Sequence, residues 1–163
     1  MTIVSDSGPI LSFARAGQLE ILRQVAGELL IPEAVFEEIA VRGQGKPGDE
    51  AVRAGTWIKS EKVKDRSMLN QLSRRLNAGE MEAIALAAEL NATILIDEYE
   101  GRKEAARIGI EHFGSLRILK EAKERGVIQE IRPVLDKLIA SGTYVSEKLY
   151  QEFLGVSGEP ATC

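Results

Sequence analysis

Histidine and cysteine are nearly missing: the 163 residues contain one of each, His112 and Cys163. A disulfide needs two cysteines and a zinc site needs several His or Cys ligands, so neither a disulfide scaffold nor zinc chemistry is expected. The same scarcity argues against a histidine-based triad, because a lone histidine more often packs or sits at the surface than catalyses. No apolar run approaches the roughly 18 residues of a membrane span. The opening MTIVSDSGPILSF has no basic flank before its apolar stretch, so it does not read as a secretory signal, and the expected location is cytoplasmic with no membrane partner. Internal repeats and low-complexity segments are missing too. An excess of positive charge is missing as well: 21 Lys and Arg stand against 25 Asp and Glu, a net charge of −4. This argues against a broadly basic surface for nucleic acid, since phosphate binding rests on Lys and Arg, although local distribution matters more than the total. Carboxylates gathered around a cation would supply negative charge of their own while basic residues rim the site.

The length suits one hydrophobic core, which commonly serves about 100–200 residues. Residues 1–154 are expected to form one domain, and 155–163 a short C-terminal tail. Along the chain, Thr2 to Ser5 reads as a buried strand, and Asp6-Ser7-Gly8-Pro9 turns it into a helix carrying Ile10, Leu11 and Phe13. Helical spacing continues through Leu19, Leu22 and Val25, and Gly27 breaks it. Glu28 to Ile31 offers a second strand, and Pro32 opens a helix. Gly43 to Glu50 is a loop by composition, Trp57 to Ser60 a small edge strand, and Ser67 to Leu76 a basic helix. Glu80 to Leu90 consists of strong helix formers stopped by Asn91. Thr93 to Ile96 is β-branched and apolar, and like the first strand it ends on an acid, Asp97. Helices follow at Glu100 to Ile108, Ser115 to Arg125, Arg132 to Ala140 and Ser146 to Leu154, with a last strand within Ile110 to Phe113. Short apolar strands separated by helices predict an α/β fold, a mainly parallel sheet covered on both faces.

Parallel sheets bind ligands at the carboxyl ends of their strands, where Asp6 and Asp97 fall. Asp6 alone also fits a helix cap. Two carboxylates brought to one crevice repel, and a cation offsets the repulsion. On the helix after Pro32, the apolar stripe passes through Val35, Phe36 and Ile39. At 100° per residue Glu38 lies beside that stripe and Glu37 points nearly opposite. Asn77-Ala78-Gly79-Glu80 fits a capping box, and it equally places a site carboxylate at a helix start, with Glu82 as the neighbouring alternative. Hard carboxylate oxygens suit Mg²⁺ or Mn²⁺. Asp6 and Asp97 are expected to touch the metal, and Glu38 and Glu80 to act through water. Ser7 is an auxiliary candidate for a phosphate or water. Arg102, Lys103 and Arg107, on the helix after Asp97, are candidates for phosphate contact.

The strings VSDSGPILSFARAGQLEIL, LLIPEAVFEEIA, LNAGEMEAIALAAELNATILIDEYEGRKEAARIG and FGSLRILKEAKERGVI occur in this order. Together they resemble the PIN-domain family, in particular its predicted nucleic-acid-binding subgroup and the VapC-like toxin ribonucleases, over roughly Ile3 to Leu154. The resemblance implies a three-layer α/β/α fold and a Mg²⁺- or Mn²⁺-dependent endoribonuclease. Its four acids correspond to Asp6, Glu38, Glu80 and Asp97, and Glu98 or Glu100 matches an auxiliary acidic position. A Thr-x-Asp pattern common in the family is replaced here by Leu95-Ile96-Asp97. The resemblance further implies an RNA substrate, the toxin role of a type II toxin-antitoxin pair, inhibition by a cognate antitoxin and a homodimer. The dimer is also motivated by Ile10, Leu11, Phe13, Leu19, Ile21 and Leu22, which exceed one narrow apolar stripe. A noncatalytic PIN-like binding or regulatory domain is the alternative. A phosphatase with Asp6 as nucleophile is disfavoured because Gly8 stands where a second aspartate would fall. A receiver domain lacks its acidic pair.

Overall fold

A computed structural model describes residues 1–160; Cys163 and the end of the expected tail lie outside the described residues. Strands β1 (Ile3–Ser5), β2 (Leu29–Ile31), β3 (Ile58–Ser60), β4 (Thr93–Leu95) and β5 (His112–Phe113) form a parallel sheet in the order β3-β2-β1-β4-β5. Val4 is in register with Leu30 on one side and Ile94 on the other. From β1 the chain builds outward through β2 and β3, then returns to lay β4 against the other side of β1. The order therefore reverses between β1 and β4, and a doubly wound sheet opens its ligand crevice at that reversal, beyond the strand carboxyl ends.

Side chains alternate across the sheet and so define two cores. Ile3, Leu29, Ile31, Ile58, Leu95 and Phe113 face one layer. That layer contains α1 (Ser7–Arg15), α2 (Leu19–Ala26), α3 (Glu33–Phe36), α4 (Asp49–Ala54), α7 (Ser115–Glu124), α8 (Arg132–Ala140) and α9 (Glu147–Val156). Val4, Ile94 and Ile96 face the other layer, built from α5 (Ala78–Leu90), α6 (Tyr99–Arg107) and the segment carrying Val63, Leu72 and Leu76. The result is an α/β fold with helices on both faces of the sheet, as the sequence pattern predicts. Helix α5 shows how the local signals work. Asn77 caps its start, Ala83 through Ala87 are all buried, so that this stretch is covered on every side, and Asn91 ends it in the left-handed conformation at φ 51°.

Four expectations need correction. Residues 67–76 are not a regular helix: a 3₁₀ turn covers Arg66–Gln71, and the chain then leaves helical geometry. This segment is held from outside: Glu89 accepts from the Lys64 and Asp65 amides just before it, and the buried Glu104 accepts from the Ser73 amide within it. The loop from Gly43 gives way at Asp49 to α4, which composition did not reveal. The helix after Pro32 changes to π-helical hydrogen bonding over Glu37–Val41. The apolar surplus in α1 and α2 lies within this chain's own core: Ile10, Phe13, Ile21 and Leu22 are buried, and Leu11 and Leu19 pack against them. That surplus therefore gives no support to a dimer. Toward the end, α9 continues to Val156, and the Glu159 carboxylate accepts from Lys123 Nζ and from the Ile131 and Arg132 amides at the start of α8. No helix among the described residues is long and apolar enough to cross a membrane.

Candidate active site

The backbone amide of Asp6 donates to the carbonyl of Leu95 at 3.0 Å, locking the ends of β1 and β4 together at the reversal of strand order. Asp6 occupies the N-cap position of α1, yet its side chain makes no capping hydrogen bond. The residue is only 5% exposed, and its Oδ1 is buried with no hydrogen-bond partner among the described residues. A buried polar atom left in this way is costly unless something absent from the chain itself satisfies it. Burial pushes the Asp6 carboxyl up to about 7, against the pull of the Ser7 backbone amide, and the nearby charges of Glu80, Glu38 and Asp97 add to the rise. Glu38 and Asp97, from different elements, thus act on Asp6 together with Glu80. The crevice gathers the fields of all four acids.

Glu80 combines both roles that its sequence context allows. Its Oε1 accepts from the Asn77 amide at 3.1 Å while its own amide donates to Asn77 Oδ1 at 2.8 Å, completing the capping box. Its Oε2 is buried with no partner among the described residues, and the residue is 5% exposed. Burial raises the Glu80 carboxyl above its ordinary value, and the charges of Glu98, Glu38 and Glu100 raise it further while the Asn77 amide opposes them. Glu82 is employed elsewhere, accepting from the Ala34 amide at 3.1 Å and pairing with Arg66 at 3.5 Å. Glu38 is half-buried and Glu37 exposed, in keeping with the helical stripe.

Asp97 is exposed, but it is held by the start of α7. Its Oδ1 accepts from the Ser115 amide at 2.7 Å, and its Oδ2 from the Ser115 hydroxyl. Each oxygen keeps a further lone pair. Gly114 makes room for this arrangement, since a Cβ there would lie 2.6 Å from Asp97 Oδ1. Gly101 does the same for α6, where a Cβ would lie 2.3 Å from Ile96 Cδ1 and 3.4 Å from Glu80 Oε2. Sequence reading did not single out Gly114, Ser115 or Gly101. The available signal was Gly-Ser at a third strand-to-helix junction, equivalent to those following β1 and β4.

Of the auxiliary candidates, Ser7 is buried in the first turn of α1, and Glu98 is exposed at the N-cap of α6. Arg102 is exposed and lines the same groove as Asp97, whereas Arg107 is committed to Glu104 and the Gln71 carbonyl. No three acidic side chains among the described residues are closed into a preassembled metal shell. A cleft of about 680 Å³ beside β5 is lined by residues such as Met1, Thr93 and Arg125, and by none of the four acids.

The PIN domain family matches residues 2–159 of the chain. No curated protein matches it. Among solved structures, the fold is similar to that of a PilT N-terminus domain protein from the hyperthermophilic archaeon Sulfolobus solfataricus. The two share 15% sequence identity, with 90% of this chain and 98% of the other covered, at a TM-score of 0.55. At that identity the likeness concerns the fold.

Proposed function

The chain belongs to the PIN-domain family, generally one of metal-dependent nucleases, and from that premise we propose that it is a Mg²⁺- or Mn²⁺-dependent endoribonuclease. The acidic set of this reading is Asp6, Glu38, Glu80 and Asp97. The observation that carries it is the pair of buried, unpartnered carboxylate oxygens, Asp6 Oδ1 and Glu80 Oε2, at the point where the strand order reverses. Hard, desolvated oxygens fit Mg²⁺ or Mn²⁺. When bound, such a cation supplies charge neutralisation and a more acidic water.

The chain's own residues have separate tasks in this reading. Asp6 and Asp97 would hold the ion, with Asp97 fixed in place by Ser115. Glu80 would offer its free Oε2 to the ion or to its water, while Oε1 remains tied to the helix start. Glu38, half-buried at the edge, accepts a proton from the attacking water. Arg102, exposed beside Asp97, contacts a substrate phosphate.

Cleavage of a mixed RNA pool should disappear in EDTA and return with excess Mn²⁺ or Mg²⁺. Cleavage indifferent to chelation would overturn the mechanism. Stable RNA under every divalent condition would favour the noncatalytic alternative. The biological setting we propose, on family resemblance alone, is the toxin of a toxin-antitoxin pair. Co-expression with an adjacent small gene should yield a complex that no longer cleaves RNA, and undiminished cleavage by that complex would remove the antitoxin from the account.

A further inference from the structure

Aromatic residues are scarce, one Trp, three Tyr and four Phe, yet the two most exposed of them line one groove. Tyr99 is 71% exposed in the first turn of α6, and Tyr144 is 87% exposed in the loop between α8 and α9. Single exposed rings are ordinary on protein surfaces. Here, however, both line a groove of about 710 Å³ together with Asp97 and Arg102. A second hollow, of about 260 Å³, is lined by Glu38 and three exposed cations, Arg15, Arg42 and Lys46. None of these three, nor Arg102, forms an ion pair among the described residues. Helix α1 joins the two spaces, with Gly8 and Ser12 lining the first and Leu11 and Arg15 the second. In a chain of net charge −4, unpaired cations on both sides of an acidic centre are a local departure from the overall balance.

We propose that single-stranded RNA crosses the site along α1 with a division of labour between its two sides. Arg15, Arg42 and Lys46 hold phosphates on the Glu38 side. Tyr99 and Tyr144 present rings for unstacked bases on the Asp97 side, with Arg102 on the intervening phosphate. The placement rests on the ribonuclease reading, because it sets the scissile bond at Asp6. The two sides have distinct physical signatures: phosphate contacts weaken with salt, whereas base stacking on an aromatic ring depends little on it.

The test uses full-length Asp6→Asn protein, so that RNA is bound and not consumed, with a labelled single-stranded RNA octamer followed by fluorescence anisotropy across a salt series. Tyr99→Ala and Tyr144→Ala should each weaken binding about tenfold without changing the salt slope, and the Tyr→Phe variants should restore it. Arg42→Gln with Lys46→Gln should flatten the salt slope. An octamer with abasic sugars in place of its nucleosides should lose its sensitivity to both tyrosines. Affinity unchanged by either Tyr→Ala variant, or an abasic octamer as sensitive as the normal one, would overturn the proposal and leave the groove to a protein segment. RNA cleavage by the wild-type chain reports separately on the ribonuclease reading. Tyrosine-dependent binding without cleavage would sink that reading and sustain the groove, whereas cleavage with tyrosine-independent binding would do the reverse.

Discussion

Asp6→Asn is expected to abolish RNA cleavage, by at least about 100-fold, and at the same time to make the cation-free protein more stable at pH 8. The first effect follows from removing a charged oxygen ligand while keeping the side chain's shape, a larger change than the roughly 10–100-fold that outer partners of metal ligands contribute. The second follows from burial, which pushes the Asp6 carboxyl from 3.8 to about 7. Between those values the folded protein holds a proton that the unfolded chain has released. Stability therefore falls as pH rises through this window, and the loss is complete above it. Its size is on the order of 4 kcal/mol, worth roughly 8–16 °C in Tm for a chain of this length. Thermal melts in EDTA should show the variant above wild type at pH 8, with the difference vanishing near pH 4. Equal melting curves at pH 8 would show that Asp6 is not held as a strained charge. A cation bound only by the folded wild-type protein should reverse the ranking.

Gly114→Ala should lower cleavage about 100-fold with little change in fold. The added Cβ would lie 2.6 Å from Asp97 Oδ1, so the carboxylate must leave the Ser115 amide that holds it at 2.7 Å. The backbone tolerates alanine, since φ at Gly114 is −122°, and the displaced group is exposed. The effect should therefore appear in kcat and metal affinity while the circular dichroism spectrum stays unchanged. Gly155→Ala is the matching control: it has no heavy atom within 4 Å of its added Cβ, lies within α9, and should leave cleavage alone. Full activity in Gly114→Ala would remove Asp97 from the centre.

What was legible in the sequence was local. Asp6 and Asp97 each close a short apolar strand, so strand periodicity alone put them at the same sheet edge. Glu38 is distinguished from Glu37 by the roughly 100° between successive helical residues, although the helix changes to π hydrogen bonding from Glu37 onward, which the spacing does not reveal. Asn77 and Glu80 were legible as a capping box, but not the outcome that one Glu80 oxygen caps while the other stays free. The rest depends on partners distant in sequence. Ser115 reaches Asp97 across 18 positions, and Glu104 reaches the Ser73 amide across 31. The second contact helps fix a segment whose composition suggested a helix, because no window of local sequence contains both ends.

The central claim is that the crevice between β1 and β4 is a divalent-cation centre. Its most direct test is a crystal of the full chain soaked in Mn²⁺, with anomalous scattering locating the metal. The account expects a manganese peak in contact with Asp6 and Asp97, within reach of the free Glu80 oxygen, and absent from Asp6→Asn crystals soaked identically. An empty crevice at saturating Mn²⁺, with Asp6 Oδ1 still unpartnered, would contradict it.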